Sequence, residues 1–88
     1  NTQLNSIEES IGNKKWDDAQ KFTSEFKETF IKKRIIIQMS NGTEAFTVFE
    51  QTIGQLEMTV KHNQESALEY VGALRQSMNL VVKPFSGP

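Results

Sequence analysis

No proline occurs before Pro84. A proline ring removes a backbone donor and clashes with the preceding helical turn, so residues 1–83 carry no such break. Over that span the apolar residues recur at three- and four-residue intervals, the period of an amphipathic helix. Leu4, Ile7 and Ile11 form a first stripe. Trp16, Ala19, Phe22, Phe26 and Phe30 form a second, Phe46, Phe49, Ile53, Leu56 and Val60 a third, and Ala67, Val71, Leu74, Met78 and Val81 a fourth.

Turn chemistry separates the stripes. Gly12–Asn13 and Asn41–Gly42 are glycine–asparagine pairs, and Lys61–Glu65 (KHNQE) is a short polar run. Asn13 is a candidate N-cap for the second helix, with Asp17 and Asp18 in its first turn, where negative charge suits the dipole. Asn41 or Thr43 can cap the third helix and Asn63 the fourth. The expected elements are four helices over 2–12, 14–39, 43–62 and 64–82. No stripe can bury itself, so the expected fold is all-α: two αα-hairpins in a small bundle around one core. The second helix, the longest on this reading, would be its spine. A chain of 88 residues has room for one domain, taken as 1–83 with a C-terminal tail over 84–88.

The two halves also resemble each other. Ala19, Phe22, Phe26 and Phe30 overlie Ala67, Tyr70, Leu74 and Met78 at a constant offset. Ile7 and Ile11 overlie Leu56 and Val60 at an offset one residue longer. A true repeat would do this, and so would any two amphipathic hairpins. The spacing is too long for a tetratricopeptide repeat.

The segment Phe30–Met39 (FIKKRIIIQM) runs a basic triplet into three isoleucines. It is far too short to span a membrane. As a strand it would have no partner in a helical chain. Read as the last turns of the second helix, it spreads its isoleucines over about 200° of arc. Ile37 then continues the stripe of Phe26 and Phe30, while Ile35 or Ile36 points away from it. Lys32, Lys33, Arg34, Ile35, Ile36 and Met39 are therefore the candidate partner surface, since apolar surface in excess of the core marks contacts with another chain.

Candidate chemistry is sparse. Without cysteine the chain has no disulfide, thiolate ligand or cysteine nucleophile. His62, the single histidine, sits at a helix end, where it reads as a solvated cap rather than a metal ligand. Glu50 and Glu57 lie seven apart on the third helix, but the Glu-x-x-His of di-iron bundles is missing, so the carboxylates read as solvated faces. Asn41–Gly42–Thr43 has the form of a glycosylation sequon and is read as a turn and cap. Trp16 could stack on a ligand, or lock a hairpin by packing under its turn; the second is the commoner use. No constellation joins a nucleophile or base to an orienting partner, so neither catalytic residue, metal nor cofactor is expected. A net charge of −1 and one short basic triplet do not make a nucleic-acid surface.

With that spacing in view, LNSIEESIGNKKWDDAQKF, residues 4–22, resembles the opening of the bacterial DUF4363 domains, a family of unknown function. Their apolar pair, tryptophan and following alanine correspond to Ile7, Ile11, Trp16 and Ala19. A later aromatic corresponds to Phe30, the third-helix stripe to Phe46, Phe49, Ile53, Leu56 and Val60, and the last helix to ESALEYVGAL, residues 65–74. The resemblance covers about residues 4–80. The family often has tryptophans where this chain has Ile36 and Ile37, and a histidine where it has Thr43. Family members usually carry an N-terminal hydrophobic segment, which implies an extracytoplasmic domain near a membrane, its anchor outside this sequence. The resemblance implies a small helical domain and supplies no activity.

Two functions follow as expectations. One is a non-enzymatic interaction domain that docks on a protein partner or on itself. The other is a bundle holding an apolar small molecule or lipid among Phe22, Phe26, Phe30, Phe46 and Phe49.

Overall fold

The computed structural model describes residues 2–32 and 34–81; for 31–32, 34–46 and 78–81 it describes the backbone alone. Four helices make up the fold: α1 (Thr2–Gly12), α2 (Trp16–Lys32), α3 (Arg34–Lys61) and α4 (Ala67–Val81). Each packs on two neighbours in a ring, α1 on α2, α2 on α3, α3 on α4, and α4 back on α1. Neighbours run antiparallel. Gln3 Nε2 donates to Thr29 Oγ1 across α1 and α2 at 3.1 Å. Phe30 faces Phe49 across α2 and α3 while Lys27 meets Glu57 further along. The all-α bundle expected from the four stripes is the fold observed.

The core is those stripes. Leu4, Ile7, Ile11, Ala19, Phe26, Phe30, Phe49, Ile53, Leu56, Val60, Ala67, Val71 and Leu74 are buried in one cluster, with Trp16, Phe22 and Tyr70 packed against it. Phe49 anchors the α2–α3 seam. Its ring centroid lies 4.4 Å from that of Phe30 and 6.2 Å from that of Phe26, both tilted, within the range where aromatic pairs attract.

The largest departures from the expected boundaries fall at the junction of α2 and α3. The helix expected over 14–39 ends at Lys32, and the one expected over 43–62 begins at Arg34. The isoleucines thus open α3 instead of closing α2, and α3, with 28 residues, is the longest helix. Asn41, Gly42 and Thr43 lie inside α3, so neither Asn41 nor Thr43 is an N-cap. Interior glycine costs a helix about 1 kcal/mol and asparagine less, a penalty that tertiary packing commonly overrides. The tail expected over 84–88 lies outside the described residues.

The turns explain the other corrections. Lys14 has φ 58° and Asn63 φ 56°. Lys14 N–H bonds the Ile11 carbonyl at 3.0 Å and Lys15 N–H the Ser10 carbonyl at 2.8 Å. Asn63 N–H bonds the Val60 carbonyl at 3.1 Å and Gln64 N–H the Thr59 carbonyl at 2.9 Å. Both are Schellman motifs, which satisfy the last carbonyls of a helix through a left-handed residue. Asn13 and Asn63 therefore belong to helix C-termini and do not cap the helices that follow. Asparagine serves either end, because its short side chain caps orphan amides and also tolerates the left-handed region.

The internal likeness has a structural counterpart. The motif at Lys14 corresponds to that at Asn63, and Ser10 to Thr59, each buried and bonding back to the carbonyl four residues earlier. The ion pairs correspond as well: Lys27–Glu57 joins α2 to α3 at 3.2 Å, and Arg75–Glu8 joins α4 to α1 at 2.9 Å. Lys27 matches Arg75 at the offset of α2 on α4, and Glu57 matches Glu8 at the offset of α1 on α3. The correspondence runs through residues 4–27 and 53–75, so the halves share positions of core, turns and ion pairs, not merely amphipathicity.

The one-residue change of offset is also accounted for. Ala19 N–H bonds the Lys15 carbonyl, four residues back, at 3.0 Å. Ala67 N–H bonds the Gln64 carbonyl, three residues back, at 3.1 Å, and Leu68 and Glu69 repeat that shorter step. α4 thus opens with a tighter 3₁₀-type turn that uses one residue fewer.

Candidate functional site

The side chains of Lys32, Lys33, Arg34, Ile35, Ile36 and Met39 lie outside the described residues, Lys33 entirely. The backbone places Arg34 to Met39 in the first turns of α3. Arg34, Ile35, Ile36 and Met39 therefore belong to the start of the longest helix, and Lys32 to the end of α2.

The described part of α3 supplies a neighbouring surface. Its inner side buries Phe49, Ile53, Leu56 and Val60. Glu50, Glu57 and Lys61 share the side toward α2, where Glu57 pairs with Lys27. The outward arc then consists of Val48, Gln51, Gly54, Gln55 and Met58, all exposed and none charged. Among the described residues, Val48 and Met58 are large apolar side chains left in solvent, 52% and 59% exposed. An uncharged, partly apolar strip of this kind can dock another helix without desolvating a charge. Periodicity could have shown this strip, because charged residues are missing from one whole side of a three-turn run.

The end of the bundle near the turns holds a shallow hollow of about 510 Å³ lined by Lys14, Lys15, Trp16, Asp17, Asp18 and Asn63. Trp16 opens α2 there, half-buried and packed on the core, which matches its reading as a hairpin lock. Asp17 and Asp18 occupy the first turn as expected. His62 is exposed in the turn after α3. Among the described residues, no three histidine, cysteine or carboxylate side chains cluster to hold a metal ion, and no helix is long and apolar enough to cross a membrane.

A smaller hollow, about 150 Å³, lies between α2 and α3 and is lined by Gln20, Thr23, Ser24, Glu57, Val60 and Lys61. Thr23 is 1% exposed, and its Oγ1 has no hydrogen-bond partner. Thr23 lies on the stripe between Ala19 and Phe26, and a hydroxyl on a buried stripe is the signal of it in the sequence.

The aromatic residues proposed as ligand walls have other work. Phe26, Phe30 and Phe49 are buried against one another, and Phe22 packs on the same cluster. Phe46 lies outside the described side chains.

No family model, curated protein or solved structure matches this chain.

Proposed function

We propose that this chain is a non-enzymatic helical interaction domain that docks on a protein partner or on a second copy of itself through α3. The observation that carries this reading is the uncharged outward arc of Val48, Gln51, Gly54, Gln55 and Met58 on the longest helix. The isoleucine run from Ile35 to Ile37 lies at the start of the same helix, beside the basic triplet. Placement of the domain outside a bacterial membrane rests on the resemblance of residues 4–80 to DUF4363 domains and belongs to the same proposal.

Binding of an apolar ligand among the phenylalanines is the weaker reading. Phe26, Phe30 and Phe49 fill the core by packing on each other, leaving their faces to one another instead of to a guest.

Size-exclusion chromatography with light scattering tests the self-association form at high micromolar concentration. Wild type should exceed the monomer mass, and Ile36→Glu or Met58→Glu should return it to monomer. A wild type that stays monomeric removes self-association and leaves only a foreign partner. Native mass spectrometry of the same sample addresses the ligand reading, which requires a bound small molecule.

A further inference from the structure

The outward arc of α3 has an internal control, because α1 holds the equivalent place in the other half. There Gly54 corresponds to Asn5, Gln55 to Ser6 and Met58 to Glu9. The buried sides of the two helices match over these turns, so the fold is served by a polar outward side. Met58 stands exposed where α1 carries a carboxylate, and nothing in the packing of the bundle asks for it.

The edges of the arc say what covers it. The edge away from α2 holds Thr52 and Thr59, both buried, their hydroxyls donating to the Val48 and Gln55 carbonyls. The edge toward α2 holds Glu50, Glu57 and Lys61. Glu57 pairs with Lys27, whereas neither Glu50 nor Lys61 has a salt bridge among the described residues. Those two charges are about three turns apart, roughly 16 Å along the helix, too far to neutralise each other within one chain. An edge with opposite charges at its two ends is complementary to itself when reversed. Two antiparallel helices related by a two-fold axis bring the same edge of each together.

We propose that the arc is covered by the arc of a second copy, α3 lying antiparallel on α3 about a two-fold axis at Gln55. The proposal rests on the reading of α3 as the docking helix and names its partner. Glu50 lies five residues before Gln55 and Lys61 six after it, so Glu50 of one copy reaches Lys61 of the other at both ends of the contact. Gln51 and Met58, four before and three after, meet in the same way. The two Gln55 carboxamides face each other on the axis, where each can donate to the other. An added Cβ at Gly54 would meet nothing within 4 Å, so the helices can approach closely beside the axis. From Val48 to Lys61 the contact is only about 20 Å long, which makes a weak dimer, formed at high micromolar concentration.

Engineered cysteines and charge reversals test it on the intact chain, with dimer formation followed by light scattering. The chain has no cysteine, so each substitution introduces a single thiol. Under mild oxidation Gln55→Cys should link to its own copy. Gln51→Cys and Met58→Cys should not self-link, because each lies roughly 9–12 Å along the axis from its own counterpart, beyond disulfide reach. Mixed together, those two variants should form the mixed disulfide. Glu50→Lys and Lys61→Glu should each weaken the dimer roughly tenfold, through lost ion pairs and new like-charge contacts. The double reversal should restore it, which no contact within one chain can do. A wild-type dimer in which Gln51→Cys or Met58→Cys self-links, or in which the double reversal restores nothing, overturns this pairing and leaves docking through α3 standing. A wild type that is monomeric throughout overturns it as well and leaves the arc to a foreign helix.

Discussion

Lys14 shows how far one residue can depart from local preference. It holds φ 58°, a region that costs a non-glycine residue about 1–2 kcal/mol, while Gly12 two positions earlier is an ordinary helical residue. The glycine in the sequence marks the neighbourhood of the turn but not the residue that makes it. Lys14→Gly should therefore stabilise the protein by about 0.5–1 kcal/mol, read as a raised urea midpoint with unchanged slope. Asn63→Gly should gain less, since asparagine already tolerates that conformation. The same local ambiguity makes Asn13 and Asn63 look like N-caps in the sequence. An asparagine before a helix and an asparagine ending the previous one look identical until the backbone angle is known.

Among the elements, the buried faces were legible and the α2–α3 junction was not. Each core residue from Leu4 to Leu74 lies on a stripe that spacing alone reveals, because burial demands the helical period. The junction carries no such demand. Lys32, Lys33 and Arg34 contain no breaker, whereas Asn41–Gly42 looks like one and lies within α3. The ion pairs and the Thr23 hollow depend on how helices meet, which no stripe records. α3 also holds Gly54, where an added Cβ would meet nothing within 4 Å. Gly54→Ala should raise stability by about 0.5–1 kcal/mol in thermal or urea unfolding, through helix propensity alone. If the outward arc of α3 docks closely on a partner helix, the same substitution should weaken that association even as it stabilises the free chain.

For the whole molecule, stability rests on one small core shared by two hairpins. Folded domains are commonly held by only about 5–15 kcal/mol. Phe49 joins the hairpins through its contacts with Phe26 and Phe30. Phe49→Ala should cost about 3–5 kcal/mol and bring the chain near its unfolding threshold, whereas Phe49→Leu should cost less. Circular dichroism with urea measures both. The ion pairs contribute far less, because both are substantially exposed. Their value lies in marking equivalent places in the two halves.

The tight opening turn of α4 has a consequence for how such a chain can vary. Losing one residue inside an α-helix swings everything beyond it by about 100°. Four residues of α-helix from Lys15 to Ala19 turn through about 400°, and three residues of 3₁₀ turn from Gln64 to Ala67 through about 360°. The phase error falls to about 40°, within the width of an apolar stripe. A missing residue is absorbed at the mouth of the helix, and Ala67, Val71 and Leu74 still face inward like their counterparts in α2.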